Sequence, residues 1–176
     1  LYKSGKIFYR LKIIFCSQNI QIIMNYWLIK SEPSVYSIEK MQQEKSCIWD
    51  GVRNYQARNF LRHMVRGDLV FFYHSNTKHP GIIGLVQVIE TEIIDPTQFD
   101  TNSQYYDPKS TSENPRWQTV RVEFVEQFPS VITLAQLKQE FTPDDLLLVR
   151  RGNRLSVMPV AQDIAEKILG MKIPKD

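Results

Sequence analysis

The chain is poor in the residues that build metal and redox sites. Its 176 residues include two cysteines, Cys16 and Cys47, and three histidines, His63, His74 and His79. Two cysteines make neither a disulfide framework nor a zinc site. No cluster of His, Cys and carboxylates falls at ligand spacing, so neither a metal nor a cofactor is expected. The seven glycines are too scattered for a phosphate-cradling loop or a dinucleotide fingerprint. No apolar run is long enough to span a bilayer. The run Ile13-Ile14-Phe15-Cys16 is also too short for a signal peptide. These absences point to a reducing compartment, cytoplasmic or, in a eukaryote, nuclear.

The chain also lacks a strong charge of one sign. Its formal net charge is +3, but Lys3, Lys6, Arg10 and Lys12 are the only charged residues in 1–23. Of the 22 basic residues, 18 therefore remain in the body against 19 acidic ones. A nucleic-acid surface, if there is one, must be a local patch. Residues 1–23 are expected to be an extension that is not part of the fold, with a genuine mobile arm as the alternative. Residues 24–172 are expected to form one domain.

What is present reads as interspersed strands and short helices. Tyr26 to Ile29 is a strand, ended by Lys30-Ser31-Glu32 and stopped by Pro33. Ser37 caps a short helix over Ile38 to Glu44, with Glu39 in its first turn. Cys47-Ile48-Trp49 leads into a turn at Asp50-Gly51, and an amphipathic helix follows from Arg53 to Val65. Asp68 to His74 is a central strand. Period two puts Leu69, Phe71 and Tyr73 on one face and Val70, Phe72 and His74 on the other.

A further strand runs from Gly81 to Val88, and Gly84 within it marks a bulge or a close approach. Asp95 to Arg116 is a long polar loop with one helical turn near Pro96 to Phe99. Trp117 to Phe128 alternates as a strand. Thr133 and Gln136 have capping-box spacing at the start of a short helix. Leu155 to Val157 is a short strand with Pro159 at its end, and Ala161 to Leu169 is a closing helix. There is no βαβ regularity, so the class is α+β on a mixed sheet or barrel.

Three features bear on chemistry. Ser31, Glu32 and His74 are the residue types of a nucleophile–base set, but Ser31 sits in no nucleophile elbow. The expectation is accordingly a protein that is not an enzyme. Aromatic residues cluster at segment ends. Trp27 reads as core. Trp49 is open between core and a stacking face, because a turn and the polar Asn54 follow it. A flat ring beside hydrogen-bonding groups suits a nucleobase. Arg53, Arg58, Arg62 and Arg66 recur with no acid between them, either as a solvated face or as a phosphate-facing stripe.

The segments WLIKSEP, WDGVRNYQARN, GDLVFFYHS, YYDPKS, NPRW and RLSVMPV, in that order from Met24 to about Met171, resemble the EVE domain. The resemblance implies a PUA-like mixed β-barrel flanked by short helices. It also implies a pocket for a modified base, for example a methylated one, extruded from DNA or RNA. On that model Ser31, Trp49, Asn54, Tyr55, Tyr73, His74 and Trp117 belong to the base pocket, and Arg53, Arg58 and Arg151 contact the nucleic-acid backbone. The alternatives are an enzyme of nucleic-acid or nucleotide metabolism on a PUA-like barrel, and a small-molecule or protein interaction module.

Overall fold

The structure is a computed structural model and describes residues 25–172. The expectation for residues 1–23 lies outside the described residues. Among the described residues, six strands form one sheet: β1 (Tyr26–Ser31), β2 (Ser46–Ile48), β3 (Leu69–His74), β4 (Gly81–Ile94), β5 (Gln118–Thr133) and β6 (Val157–Val160), in the order β2-β5-β4-β3-β1-β6. The β1–β3 pair is parallel and the others are antiparallel, so the sheet is mixed as expected. It is not a closed barrel. The end strands β2 and β6 do not pair with each other, and the sheet stays open.

Each face of the sheet carries its own core. Leu69, Phe71 and Tyr73 point to one side, where α3 (Leu134–Glu140) and α4 (Gln162–Met171) bring Leu137, Ile164 and Ile168. Val70 and Phe72 point to the other, where α1 (Ile38–Glu44) and α2 (Tyr55–His63) bring Ile38, Met41, Ala57 and Leu61. The period-two reading of β3 thus holds, and every residue of β3 is buried. Burying each large apolar side chain contributes about 1.5–3 kcal/mol, so two separate layers of such residues anchor the central strands.

Local signals explain the helix starts. The Ser37 hydroxyl accepts from the Lys40 amide, and Thr133 with Gln136 forms the full capping box. Helix α2 starts later than Arg53, because Asn54 is its cap and accepts from the Ala57 amide at 3.0 Å. It also ends earlier than Val65, at His63. Gly84 meets both expectations: the β3–β4 and β4–β5 registers shift nearby, and a Cβ there would lie 2.6 Å from the Glu126 carbonyl. Strand β4 outruns Val88 because further register shifts between Val88 and Ile93 break the alternation while the pairing continues to Ile94–Gln118, and β5 outruns Phe128 because it pairs on to Thr133 opposite Gly81. Pro159 lies inside β6, tolerated because β6 is an edge strand.

Trp27 is core, as read. Its indole N–H donates to Asp68 at 2.8 Å, and Asp68 also accepts from Asn25 and from the Val65 amide. A buried carboxylate with three donors is fully served. It locks the start of β3 to β1 and to the segment after α2.

Candidate functional site

Residues from both ends of the strand order line one cavity of about 690 Å³. The carboxyl end of β1 supplies Lys30, Ser31 and Glu32. Tyr36 comes from the turn before α1, Trp49 to Arg53 from the segment after β2, Tyr105 from the long loop, and Arg154 and Ser156 from the segment before β6. The sheet therefore curls until its open ends face each other, and the cavity occupies the gap. Helix α2 packs against both β5 and β6 beside it.

The walls are held by hydrogen bonds within the chain. The Ser31 hydroxyl donates to the Tyr36 carbonyl at 2.7 Å, fixing the turn into α1. The Ser31 carbonyl accepts from the Ser75 amide at 2.8 Å. Trp49 is both core and wall. Its ring is buried and meets Phe72 edge-on at 5.5 Å and Tyr36 at 6.3 Å. Its amide donates to the Val120 carbonyl, and its own carbonyl accepts from the Thr119 hydroxyl. Gly51 has a φ of 74°, and a Cβ there would lie 2.7 Å from the Tyr105 ring. Only glycine lets that ring lie against the turn.

The electrostatics of the lining are mixed. Burial lowers the pKa of Lys30. Burial raises that of Tyr36, whose hydroxyl donates to Glu44 at 2.8 Å, so Tyr36 stays a neutral donor. Burial also raises the Asp50 carboxyl, helped by Asp95 and opposed by Arg53. The cavity thus offers aromatic surface from Trp49 and Tyr36, rimmed by a hydroxyl, the carboxyls of Glu32, Glu44 and Asp50, and cations. Such a lining fits a flat heterocycle with polar edges and a nearby anion.

Arg53 faces this cavity with four of its five N–H donors already engaged. It donates to the Tyr105 carbonyl at 2.6 Å, to Asp95 at 2.7 Å, to Thr97 at 2.8 Å and to the Val52 carbonyl at 3.1 Å. This is a brace between the turn and the long loop, in place of the expected phosphate contact. Beside it stands a separate stack, in which Tyr55 lies on Trp117 at 5.0 Å and 22°. Trp117 is buried and donates its indole N–H to Asp107 at 2.7 Å. Burial alone would raise the Asp107 carboxyl. The hydrogen bonds from Trp117 and the Lys109 amide, with Arg53 and Lys109 nearby, bring it below the ordinary range.

Of the residues expected in the base pocket, the cavity brings together Ser31 and Trp49. Asn54 is spent as the α2 cap, and Tyr55 and Trp117 form the neighbouring stack. Tyr73 and His74 do not make the opposite wall. They alternate on β3, and Tyr73 is buried in the α3–α4 core. His74 accepts the Ile38 amide on its Nε2 at 3.2 Å. Of the expected backbone arginines, Arg58 lies against Tyr55 and Arg151 is exposed in the turn after Val149. The guanidinium that this turn sends to the cavity is that of Arg154.

The sequence does not single out Lys30, Tyr36, Asp50 or Tyr105 as site residues, yet all four line the cavity. Lys30, Asp50 and Tyr105 lie inside quoted motifs, and a charged residue at the end of an apolar strand is the available signal for Lys30. Tyr36 carried none. The set Ser31, Glu32 and His74 is not assembled either: Ser31 donates to Tyr36, Glu32 accepts from Asn76, and His74 serves Ile38. Among the described residues there is no group of three or more His, Cys, Asp and Glu placed to hold a metal ion. No helix among them is long and apolar enough to cross a membrane.

The His74 contact has a measurable consequence. Burial lowers its pKa, with Glu39 opposing. The folded protein therefore binds that proton less readily than the unfolded chain. The stability it contributes is complete above the unfolded pKa of about 6.5 and is lost as pH falls through the window below it. The urea midpoint should drop between pH 7.5 and 5.5, and the drop should shrink in His74→Gln. An equal drop in both proteins would assign it elsewhere.

A family model for the EVE domain matches residues 25–171. Thymocyte nuclear protein 1 from Homo sapiens is 39% identical over 175 residues, covering 89% of this chain and 76% of that protein. A crystal structure of a protein from Pseudomonas syringae is 47% identical, with a TM-score of 0.81 over 84% of this chain and 99% of that one. The human THYN1 protein, solved in complex with 5-methylcytosine-containing DNA, is 39% identical with a TM-score of 0.79, over 86% of this chain and 99% of that one. The match runs through both cores and all the cavity walls, and the chain belongs to the EVE domain family.

Proposed function

We infer that this chain is a non-enzymatic nucleic-acid-binding module that takes a modified nucleobase, extruded from its strand, into the cavity beside Trp49. The observation that carries the reading is the lining itself: the aromatic surface of Trp49 and Tyr36 meets the Asp50 carboxyl and the Ser31 hydroxyl oxygen, which donates to Tyr36 and keeps its acceptor capacity. Its support from relatives is that the 39%-identical human protein was crystallised with 5-methylcytosine DNA. A carboxylate such as Asp50 accepts from an exocyclic amino group of the cytosine type. Cys47, Ile48 and Val52 add apolar lining, against which an added methyl gains contact. The enzyme alternative loses support because Ser31, Glu32 and His74 spend their hydrogen bonds on other partners.

The size of the effect is bounded. One methyl or methylene in an apolar pocket is worth about 1–3 kcal/mol, or about 10–200-fold in affinity, and base extrusion costs a few kcal/mol that stacking must offset. Titration with oligonucleotides carrying 5-methyl- or 5-hydroxymethylcytosine, beside unmodified twins, tests the reading. A preference within that range is the expected result. Equal, salt-sensitive binding to all of them would leave only general nucleic-acid affinity.

A further inference from the structure

We propose that Tyr55, Arg58 and Arg62 form a second nucleotide site outside the cavity, which holds the nucleotide next to the extruded one. The base stacks on the outer face of Tyr55 and its phosphate lies against the two guanidiniums. The inference rests on the cavity being the base site, and adds a subsite to it.

Tyr55 opens α2 and is 49% exposed, more than the other exposed aromatics, Tyr106 at 41% and Phe99 at 39%. Its inner face lies on Trp117, which is itself fixed by Asp107. Its hydroxyl accepts a hydrogen bond from Arg116. The ring is thus backed by Trp117 and oriented without a ligand, with the Arg58 and Arg116 guanidiniums 4.8 and 5.6 Å from its centre. A rigid aromatic face loses little entropy when a base settles on it.

The arginines supply the anion site. The Arg58 guanidinium lies 4.8 Å from the centre of the Tyr55 ring. It donates from Nη1 to the Arg116 carbonyl at 2.9 Å, and from Nε and Nη2 to Asn59 at 3.3 and 3.0 Å. A guanidinium has five N–H donors, so two remain. Arg116 is neutralised by Asp107 at 3.0 Å. Among the described residues, neither Arg58 nor Arg62 has a carboxylate within ion-pair distance. Like charges one helical turn apart repel, and a phosphate between them removes that cost. Apolar packing needs no such pair of unneutralised cations beside an exposed ring, whereas a nucleotide uses both parts.

The placement links the two sites. Arg53 lines the cavity and lies 5.3 Å from the centre of the Trp117 ring, on which Tyr55 stacks. The stack is therefore the next structure along from the cavity wall.

The test uses Tyr55→Ala, Tyr55→Phe and Arg58→Gln in the full chain. Each is titrated with a single-stranded oligonucleotide carrying one 5-methylcytosine, its unmodified twin, and free 5-methyldeoxycytidine. Tyr55→Ala should weaken oligonucleotide binding about ten-fold or more, and Tyr55→Phe should stay within about two-fold, because it keeps the stacking face. Arg58→Gln should lower the slope of log affinity against log salt by about one. Nucleoside affinity and the ratio of modified to unmodified binding should not change. Unaltered oligonucleotide binding in both Tyr55→Ala and Arg58→Gln would overturn the proposal, as would a parallel loss of nucleoside affinity. If the wild-type protein shows no methyl preference, the cavity reading fails. The subsite is then judged by the oligonucleotide losses alone, and binding of acidic peptides in place of oligonucleotides would count against it.

Discussion

Trp49→Ala should lower folding stability by about 3–5 kcal/mol and abolish discrimination between modified and unmodified bases. Both effects come from one ring. Trp49 is buried among Phe72, Tyr36 and the α1–α2 core, so truncation opens a void in that core. The same ring lines the cavity, so the wall is lost with it. Urea unfolding reads the first effect and oligonucleotide titration the second. Trp49→Phe separates them: it keeps an aromatic in the core and reduces only the surface offered to a ligand. Full discrimination retained in Trp49→Phe, with the stability loss confined to Trp49→Ala, would reduce Trp49 to core alone.

Arg53→Met is the second large effect, and it is expected in stability. The Asp95 side chain is 2% exposed and depends on Arg53 at 2.7 Å. Removing one partner of a buried pair costs about 3–5 kcal/mol, because the remaining charge is left uncompensated. The Gly51 amide and Thr97 still reach Asp95 and offset part of this. The Tyr105 carbonyl also loses its donor, so the segment 100–116 should become sensitive to protease in the variant. Arg53→Lys should rescue little, since a single ammonium cannot span Tyr105, Asp95 and Thr97 together. A backbone-contacting arginine would behave in the opposite way, with stability kept and the salt dependence of oligonucleotide binding reduced.

These two residues show what the sequence makes legible. Effects that act within a few residues are readable: the Ser37 cap, the Thr133–Gln136 capping box, the alternation of β3, and the helical turn at Pro96–Gln98. The family resemblance, carried by several ordered motifs, is readable too, and the EVE domain match over residues 25–171 agrees with it. Partners far apart are not readable. Nothing near Arg53 announces that Asp95, 42 residues away, takes its charge. Nothing near Tyr36 announces that its ring meets that of Trp49 at 6.3 Å. Alternation on β3 already placed Tyr73 and His74 on opposite faces, so one wall could not hold both; burial decided that neither lines the cavity. The openness of the sheet was equally hidden, because strand patterns carry no record of whether β2 and β6 meet.

The gap between those two strands separates what keeps the protein folded from what decides its ligand. Most of the lining sits on turns and segment ends that contribute little to either core. Val35, Asp50, Tyr105 and Arg154 can therefore be exchanged with the central strands intact. On the proposed function, retuning such a scaffold from one base to another takes only small steps at the rim. Trp49 and Val52 are exceptions, since they belong to both parts, and a change of preference that required the loss of Trp49 would first need a more stable sheet.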